Sequence, residues 1–403
     1  MAIHKPSSFT PIRVVHLQLL PLLSGVQKVT LDEFSKLDGK KYEPILVCKE
    51  PGPLVDSVRA LGIKCEFVAS LVREISPKSD VRAFFELIKC FKRLRPDVVH
   101  THSSKTGILG RLAARIAGVP NVIHTVHGFA FPFAKNRFVR WFYFMAEFIG
   151  GLLSDKVVVL NITDYNYARR NLRLPKRKLR LIPNGVNLES FGATSEARDT
   201  YRKNVLSTEN RKEICVAMVG RLWEQKNPLC LVEAAKRVFE KTHLPVKFFF
   251  AGDGELKEEV EKKIKEYKLD GKVAVLGWRS DVPALLASVD IFVLPSLWEG
   301  MPLAILEAMA SSLAVVVSDI PGNHDLVDHD MDGRLFKPND PKDLSIQLLE
   351  LIEDENLRQR LASAARTKVA NAYSLSQRMT MITEQYNVLD NLDEVGEQAG
   401  LSC

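Results

Sequence analysis

No stretch of this 403-residue chain reaches about 18 uncharged apolar residues, so a membrane-spanning helix is not expected. The opening MAIHKPSSFTPIRVV lacks a basic region leading into an apolar core and a small-residue cleavage site, and a secretory signal is not expected either. Cysteine is sparse and scattered. Cys48, Cys65, Cys90, Cys215, Cys230 and Cys403 never fall in close pairs, which excludes a zinc knuckle and a CxxC redox site and fits a reducing cytosol. No G-x-G-x-x-G follows the first apolar run, which argues against a dehydrogenase. No repeat of fixed period is present.

What is there is ordinary for a globular protein: 46% apolar and 26% charged residues. Such a balance excludes a disordered chain, a collagen-like fibre and a small disulfide scaffold. The length suggests two domains, or three. The net charge of +7 hides an asymmetry. Residues 1–190 carry 30 Lys and Arg against 15 Asp and Glu, whereas 191–403 carry 26 against 34. This is chance, or it marks two domains of which the first faces something anionic.

Apolar runs of strand length alternate with amphipathic stretches of about a dozen residues, the signature of parallel sheets covered on both faces. In the first half, strands are expected at 12–20, 43–48, 64–68, 97–101, 121–126, 156–160 and 179–182. Helices are expected from near Val26 and at 53–61, 80–93, 106–117 and 164–171. Pro183-Asn184-Gly185 is turn chemistry and a natural domain exit. The order then restarts, with strands at 214–219, 246–251, 272–276, 290–294 and 313–317. Helices are expected at 228–240, 255–267, 281–287, 303–311, 341–351, 355–370 and 376–392. The expected division is therefore 1–185, 186–373 and a C-terminal segment 374–403.

Two loops carry candidate chemistry. In PSLWEGMPLAILEAMA, residues 295–310, a strand ends at Pro295 and a helix starts at Pro302, where a missing N–H does no harm. The free backbone N–H groups of Leu303 and Ala304 then form an anion site, at the strand ends where open α/β sheets bind ligands. Glu299 precedes this helix and Glu307 lies on its second turn. They are placed to grip sugar hydroxyls and a ribose diol, unless both are solvated surface charges. In GRLWEQKN, residues 220–227, Gly220 ends a strand, and Arg221 and Lys226 offer two cations suited to a diphosphate, unless they too are solvated.

Together these segments resemble the family 4 glycosyltransferases, retaining enzymes of the GT-B fold. The resemblance rests on Glu-x7-Glu (Glu299 and Glu307), on GRLWEQKN, AGDGEL at 251–256, LGWRSDVPALLASVDIFVLPS at 276–296 and PNGVNLESF at 183–191. DVVHTHSSKTGILGRLAARIAGVPNVIHTVHGF at 97–129 resembles the subgroup that builds bacterial surface polysaccharides (O-antigen, capsule, exopolysaccharide). The resemblance implies an α/β architecture of two tandem Rossmann-like domains whose parallel sheets face across a cleft, with a C-terminal helix crossing back to the first. It implies transfer from a nucleotide sugar, UDP-hexose or UDP-N-acetylhexosamine, to a polyprenyl-diphosphate glycan.

Position by position, the resemblance makes His127, Glu299, Arg221 and Lys226 the catalytic set. Arg221 and Lys226 would hold the diphosphate, following Gly220, and Glu307 the ribose. Glu299 with Gly300, Met301 and Pro302 would hold the sugar, and Leu303 and Ala304 would present N–H groups to phosphate. Gly277 and Trp278 would lie near the base, and Gly25 in a loop that closes on the donor. The family often has two glycines there, where this chain has Ser24 before Gly25, and Asn187 stands where Asp is common. No side-chain nucleophile is implied. Close aspartates such as Asp328, Asp330 and Asp332 sit in a loop read as structural and Asp253 in a turn, so no metal or other cofactor is expected. A GT-B UDP-sugar epimerase and a non-catalytic nucleotide-sugar or membrane-binding scaffold remain the alternatives.

Two features of the first half stay open. His100, His102, His124 and His127 fall close together, and His100 and His102 share a strand face. They form a metal site or line a cleft. The segment 129–144 interleaves Phe131, Phe138, Trp141 and other aromatics with Lys135, Arg137 and Arg140. It is an amphipathic helix packed on its own domain, or an acceptor and membrane surface that dips among lipid headgroups. Seven cations within residues 169–180 favour an anionic membrane, which would place the protein peripherally on the inner face of the plasma membrane. Nucleic acid is not expected, since no recognition module is present.

Overall fold

The computed structural model describes residues 10–74, 76–129, 136–192, 194–208 and 212–387. They form two compact units. One runs to Pro183 and takes in the chain again from Arg378; the other is Asn184–Gln377.

The first unit is built on seven parallel strands: β1 (Ile12–Leu17), β2 (Tyr42–Cys48), β3 (Lys64–Phe67), β4 (Val98–His102), β5 (Asn121–Val126), β6 (Lys156–Val159) and β7 (Leu179–Leu181). Their order in the sheet is β3-β2-β1-β4-β5-β6-β7. The second unit has six: β8 (Ile214–Val219), β9 (Val246–Ala251), β10 (Val273–Gly277), β11 (Ile291–Leu294), β12 (Ala314–Ser318) and β13 (Arg334–Phe336), ordered β10-β9-β8-β11-β12-β13. Strands such as Ile-Cys-Val-Ala-Met-Val of β8 are buried along their whole length because helices cover both faces, which is why they read as unbroken apolar runs. The order reverses between β1 and β4 and again between β8 and β11. Loops leaving the carboxyl ends of such a neighbouring pair diverge to opposite faces and leave a crevice.

Most expected elements are found within a few residues of their expected bounds. Two others had no apolar signal. The helix Ser195–Asn204 buries only one described side chain, Arg202, and is fastened by charge: Arg198 and Arg202 each donate to Asp290 at 2.5 Å. β13 is only three residues long. The final helix is Leu375–Glu384 rather than 376–392, and residues beyond 387 lie outside the described structure.

This last segment belongs to the first unit from Arg378 on. The Arg378 guanidinium is buried and donates twice to Glu33 Oε1, at 2.6 and 2.9 Å, and to the carbonyl of Pro183 at 2.8 Å. Tyr386 is fully buried, and its hydroxyl lies 3.0 Å from His16 and 2.9 Å from His100.

Candidate active site

The second unit gathers its candidate residues at the β8/β11 reversal. Gly252, just past β9, packs against the chain leaving β8: a Cβ there would lie 1.8 Å from the Gly220 carbonyl oxygen, so only glycine lets the two backbones meet. Arg221 then lies over the Trp223 ring, 4.4 Å from its centroid, which fixes the direction of the guanidinium. Gln225 ties this loop to the one after β11, donating to the Trp298 carbonyl at 2.9 Å and accepting from the Leu297 amide at 2.8 Å. Lys226 forms an ion pair with Glu299 Oε1, which also accepts from the Ser296 hydroxyl at 2.7 Å. Glu299 is thus held in place rather than solvated.

The loop 295–302 is supported from below by Gly322, whose φ is +86°. A Cβ there would come within 2.2 Å of the Gly300 carbonyl oxygen. The helix Leu303–Ala310 follows, with Pro302 as its N-cap rather than in its first turn. No side-chain bond caps the helix, which leaves its leading N–H groups without a side-chain acceptor. Glu307 is buried on the helix's second turn at 7% exposure, not a surface charge. The sequence marks Asn184 as a turn residue. It is buried, and it donates from its backbone to Met301 Sδ at 3.0 Å and from its side chain to the Met301 carbonyl at 2.8 Å. It therefore positions the loop bearing Glu299. Gly277 ends β10 with φ +69°, and Trp278 beyond it is exposed. The aspartates of the 328–332 loop are paired, Asp328 and Asp332 with Lys368 and Asp330 with Arg334. Burial pushes the Cys48, Cys215 and Cys230 thiols up to about 12, so none is a ready nucleophile.

In the first unit, Gly25 opens the helix Gly25–Lys36 and Ser24 is its N-cap. A side chain at Gly25 would meet nothing within 4 Å, so local packing does not demand glycine there. The four histidines separate by strand alternation. His124 points to one face of the sheet, 2.9 Å from Thr101 Oγ1 and beside the buried Arg111–Glu147 pair. His100, His102 and His127 lie on the other and are joined there by His16 from β1, which the sequence did not single out. His16 Nδ1 is 3.1 Å from His102 Nε2, and His102 Nδ1 is 3.1 Å from His127 Nε2. His16, His100 and His102 could together hold a metal ion, yet both ring nitrogens of each already have a hydrogen-bonding neighbour. Burial, with Arg378 nearby, depresses His16 and His127 to about 3.

The aromatic segment yields the helix Arg137–Leu153, capped by Asn136. Phe131 and Lys135 lie outside the described residues. One face packs inward through Tyr143, Phe144 and Phe148, and Glu147 is buried against Arg111. The other leaves Phe138, Trp141, Phe142, Ile149 and Leu152 exposed, with Phe138 at 85%, beside exposed Arg137 and Arg140. One face of this segment thus packs on its own unit, and the other is an exposed surface of apolar and basic residues. Of the seven nearby cations, Arg169, Lys178 and Arg180 donate to neighbouring groups, whereas Arg170, Arg173, Lys176 and Arg177 are exposed. Lys178 donates to the Leu152 carbonyl at 2.9 Å, which joins the basic segment to the end of the apolar helix. Among the described residues no helix is long and apolar enough to cross a membrane.

The chain matches known families over most of its length. Residues 23–190 match the family described as Glycosyltransferase Family 4, and residues 198–368 match Glycosyl transferases group 1. The chain is 42% identical over 386 residues to the UDP-Gal:alpha-D-GlcNAc-diphosphoundecaprenol alpha-1,3-galactosyltransferase of Escherichia coli, spanning 94% of this chain and 98% of that one. It is 31% identical over 334 residues to the N,N'-diacetylbacillosaminyl-diphospho-undecaprenol alpha-1,3-N-acetylgalactosaminyltransferase of Campylobacter jejuni, covering 81% and 86%. Among solved structures, Anabaena HepE in complex with UDP and glucose superposes with a TM-score of 0.81 at 17% identity, covering 93% of this chain and 98% of that one, a likeness of fold.

Proposed function

Because the chain belongs to the family 4 glycosyltransferases, of GT-B fold, we propose that it moves a hexose or N-acetylhexosamine from a UDP-sugar to a polyprenyl-diphosphate-linked glycan, with retention of anomeric configuration and without a metal. The observation that carries this is the joint arrangement at the β8/β11 crevice. There Arg221, Lys226 and Glu299 stand on two loops that are tied together, and the second leads into a helix with no side-chain cap whose second turn bears buried Glu307. The names of two relatives support the donor and acceptor classes, since both describe alpha transfer to a sugar on diphosphoundecaprenol. Alpha transfer from an alpha-linked UDP-sugar is retention.

In this reading the second unit binds the donor. Glu307 takes the ribose diol, and Glu299 takes the sugar once Lys226 turns from it to the diphosphate. The anomeric carbon becomes oxocarbenium-like as the diphosphate departs. Arg221, Lys226 and the N–H groups of Leu303 and Ala304 stabilise the leaving charge. The acceptor hydroxyl attacks from the leaving-group side, and a departing phosphate oxygen takes its proton. These cations do what a metal would otherwise do. Nucleoside diphosphate release from a panel of UDP-, GDP- and dTDP-sugars in EDTA, with and without polyprenyl-linked acceptor, tests the reading. Acceptor-dependent release from one UDP-sugar is the expected result; release only on adding a divalent cation would overturn metal independence.

Glu307→Ala is expected to weaken UDP binding about 10- to 100-fold, the loss of one or two hydrogen bonds to a charged group. Calorimetric titration with UDP checks this, and wild-type affinity would remove Glu307 from the ribose site. The exposed apolar face of Arg137–Leu153 and the adjoining cations would seat the first unit on an anionic bilayer at the cytoplasmic face, where such acceptors would reside. The protein is expected to co-sediment with phosphatidylglycerol-containing vesicles in low salt. At roughly 0.5 M salt, where screening shortens to a few ångströms, most of it should be released. Absence of binding, or binding that salt does not touch, would refute this mode of attachment.

A further inference from the structure

Buried His100, His16 and His102 and half-buried His127 form a single hydrogen-bonded file through the first unit. It runs from Thr125 Oγ1 to His100 Nε2 (2.7 Å), His100 Nδ1 to the Tyr386 hydroxyl (2.9 Å), and that hydroxyl to His16 Nε2 (3.0 Å). It continues from His16 Nδ1 to His102 Nε2 and from His102 Nδ1 to His127 Nε2, each at 3.1 Å. A neutral imidazole carries one donor and one acceptor, so the choice at one ring forces the choice at the next. Desolvation keeps these rings neutral, leaving the file two states in which every link is paired and the Tyr386 proton is not stranded: all four imidazoles protonated on Nδ1, or all four on Nε2.

Two observations at different points select the same state. At the inner end, the fully buried Thr125 hydroxyl has no other acceptor among the described residues. If His100 donated to it, its own proton would be stranded, so Thr125 donates and His100 carries its proton on Nδ1. Midway, the buried Glu33 Oε2 has no hydrogen-bond partner, because Arg378 takes Oε1, and it faces His16 Nδ1 at 3.9 Å. A proton on that nitrogen is attracted by the carboxylate; a lone pair there is repelled.

We propose that Thr125, His100, Tyr386, His16 and His102 are positioning residues that hold His127 as the Nδ1–H tautomer, so that its remaining nitrogen donates a hydrogen bond and cannot act as a base. Nδ1 has no partner among the described residues, and a ligand oxygen is its fitting complement. That His127 meets the donor sugar is what the family resemblance implies and rests on the proposed function; the tautomer itself does not.

The test is long-range proton–nitrogen NMR on the full-length protein labelled with 15N-histidine, with His127 assigned through its loss in His127→Asn. In the wild type His127 is expected protonated on Nδ1 and bare on Nε2, the reverse of free histidine in water. Thr125→Val removes the inner anchor and should populate the Nε2–H form. Adding Glu33→Gln should make that form the majority, since Arg378 would claim the amide oxygen and turn the NH2 toward His16. If the double variant does not fold, Tyr386→Phe, which deletes one hydroxyl from the middle, should give mixed tautomers. An Nε2–H His127 in the wild type, unchanged tautomers in the folded variants, or stoichiometric zinc held by His16, His100 and His102 would overturn the proposal. Donor KM should rise about 3- to 10-fold in the variants whose tautomer changes, the loss of one neutral hydrogen bond. A changed tautomer with unchanged KM would keep the file and remove His127 from the sugar.

Discussion

Arg221→Ala is expected to lower kcat about 10²- to 10³-fold, the usual loss when one preorganised group aimed at developing charge is removed. Donor KM should stay within a few-fold. The residue follows Gly220 just past β8, and its guanidinium carbon lies 4.4 Å from the Trp223 ring centroid, so in the proposed reaction little reorganisation would accompany the departure of the diphosphate. Lys226 differs, because before donor arrives it is already paired with Glu299. Its attraction for ground-state diphosphate is offset by the pair it must leave. Arg221→Lys keeps the charge without the planar fork and should fall between wild type and alanine. Steady-state kinetics on the acceptor-dependent reaction decide the matter. A large rise in KM at unchanged kcat would mean that Arg221 binds the ground state and not the departing charge.

Acid should unfold the first unit steeply. His16 and His127 are held at about 3, and His100, His102 and His124 are pushed well below their usual value, in every case mainly by burial. The folded protein therefore binds protons on these rings more weakly than the unfolded chain does. Stability is full above the unfolded value near 6.5 and is lost as pH falls from there toward 3. Each ring that stays neutral in the folded protein contributes up to about 1.4 kcal/mol per pH unit inside that window, so several together reach several kcal/mol per unit. Against a typical stability of about 5–15 kcal/mol, that is enough to unfold the unit within one or two units below pH 6. Urea unfolding followed by circular dichroism at pH 8, 7, 6 and 5 measures it. A stability unchanged between pH 7.5 and 5 would show that these imidazoles are not desolvated.

Much of this molecule was legible because its strands are buried on both faces and its candidate donor loops are short and local. Gly220 to Asn227 and Pro295 to Ala310 each carry their chemistry within a few residues of a strand end. The helix Ser195–Asn204 was not legible, because Arg198 and Arg202 fasten it to Asp290, about ninety residues away, and leave no apolar periodicity. The histidine file was visible only in part. Alternation places His100 and His102 together, but His16 joins them only because β1 lies beside β4, and Tyr386 only because the chain returns. Asn184 announced a turn and not the anchor it provides for Met301.

That return has a consequence for biosynthesis. The first unit has nearly all its residues out of the ribosome by Pro183, yet it lacks Arg378 and Tyr386 until some two hundred more have been joined. Until then Glu33 has no counter-ion and His16 and His100 face an open slot. The Asn184–Gln377 unit can close first, although it is made second. A nascent first unit must wait half-finished, so a premature stop near residue 375 would harm the beginning of the protein and not its end.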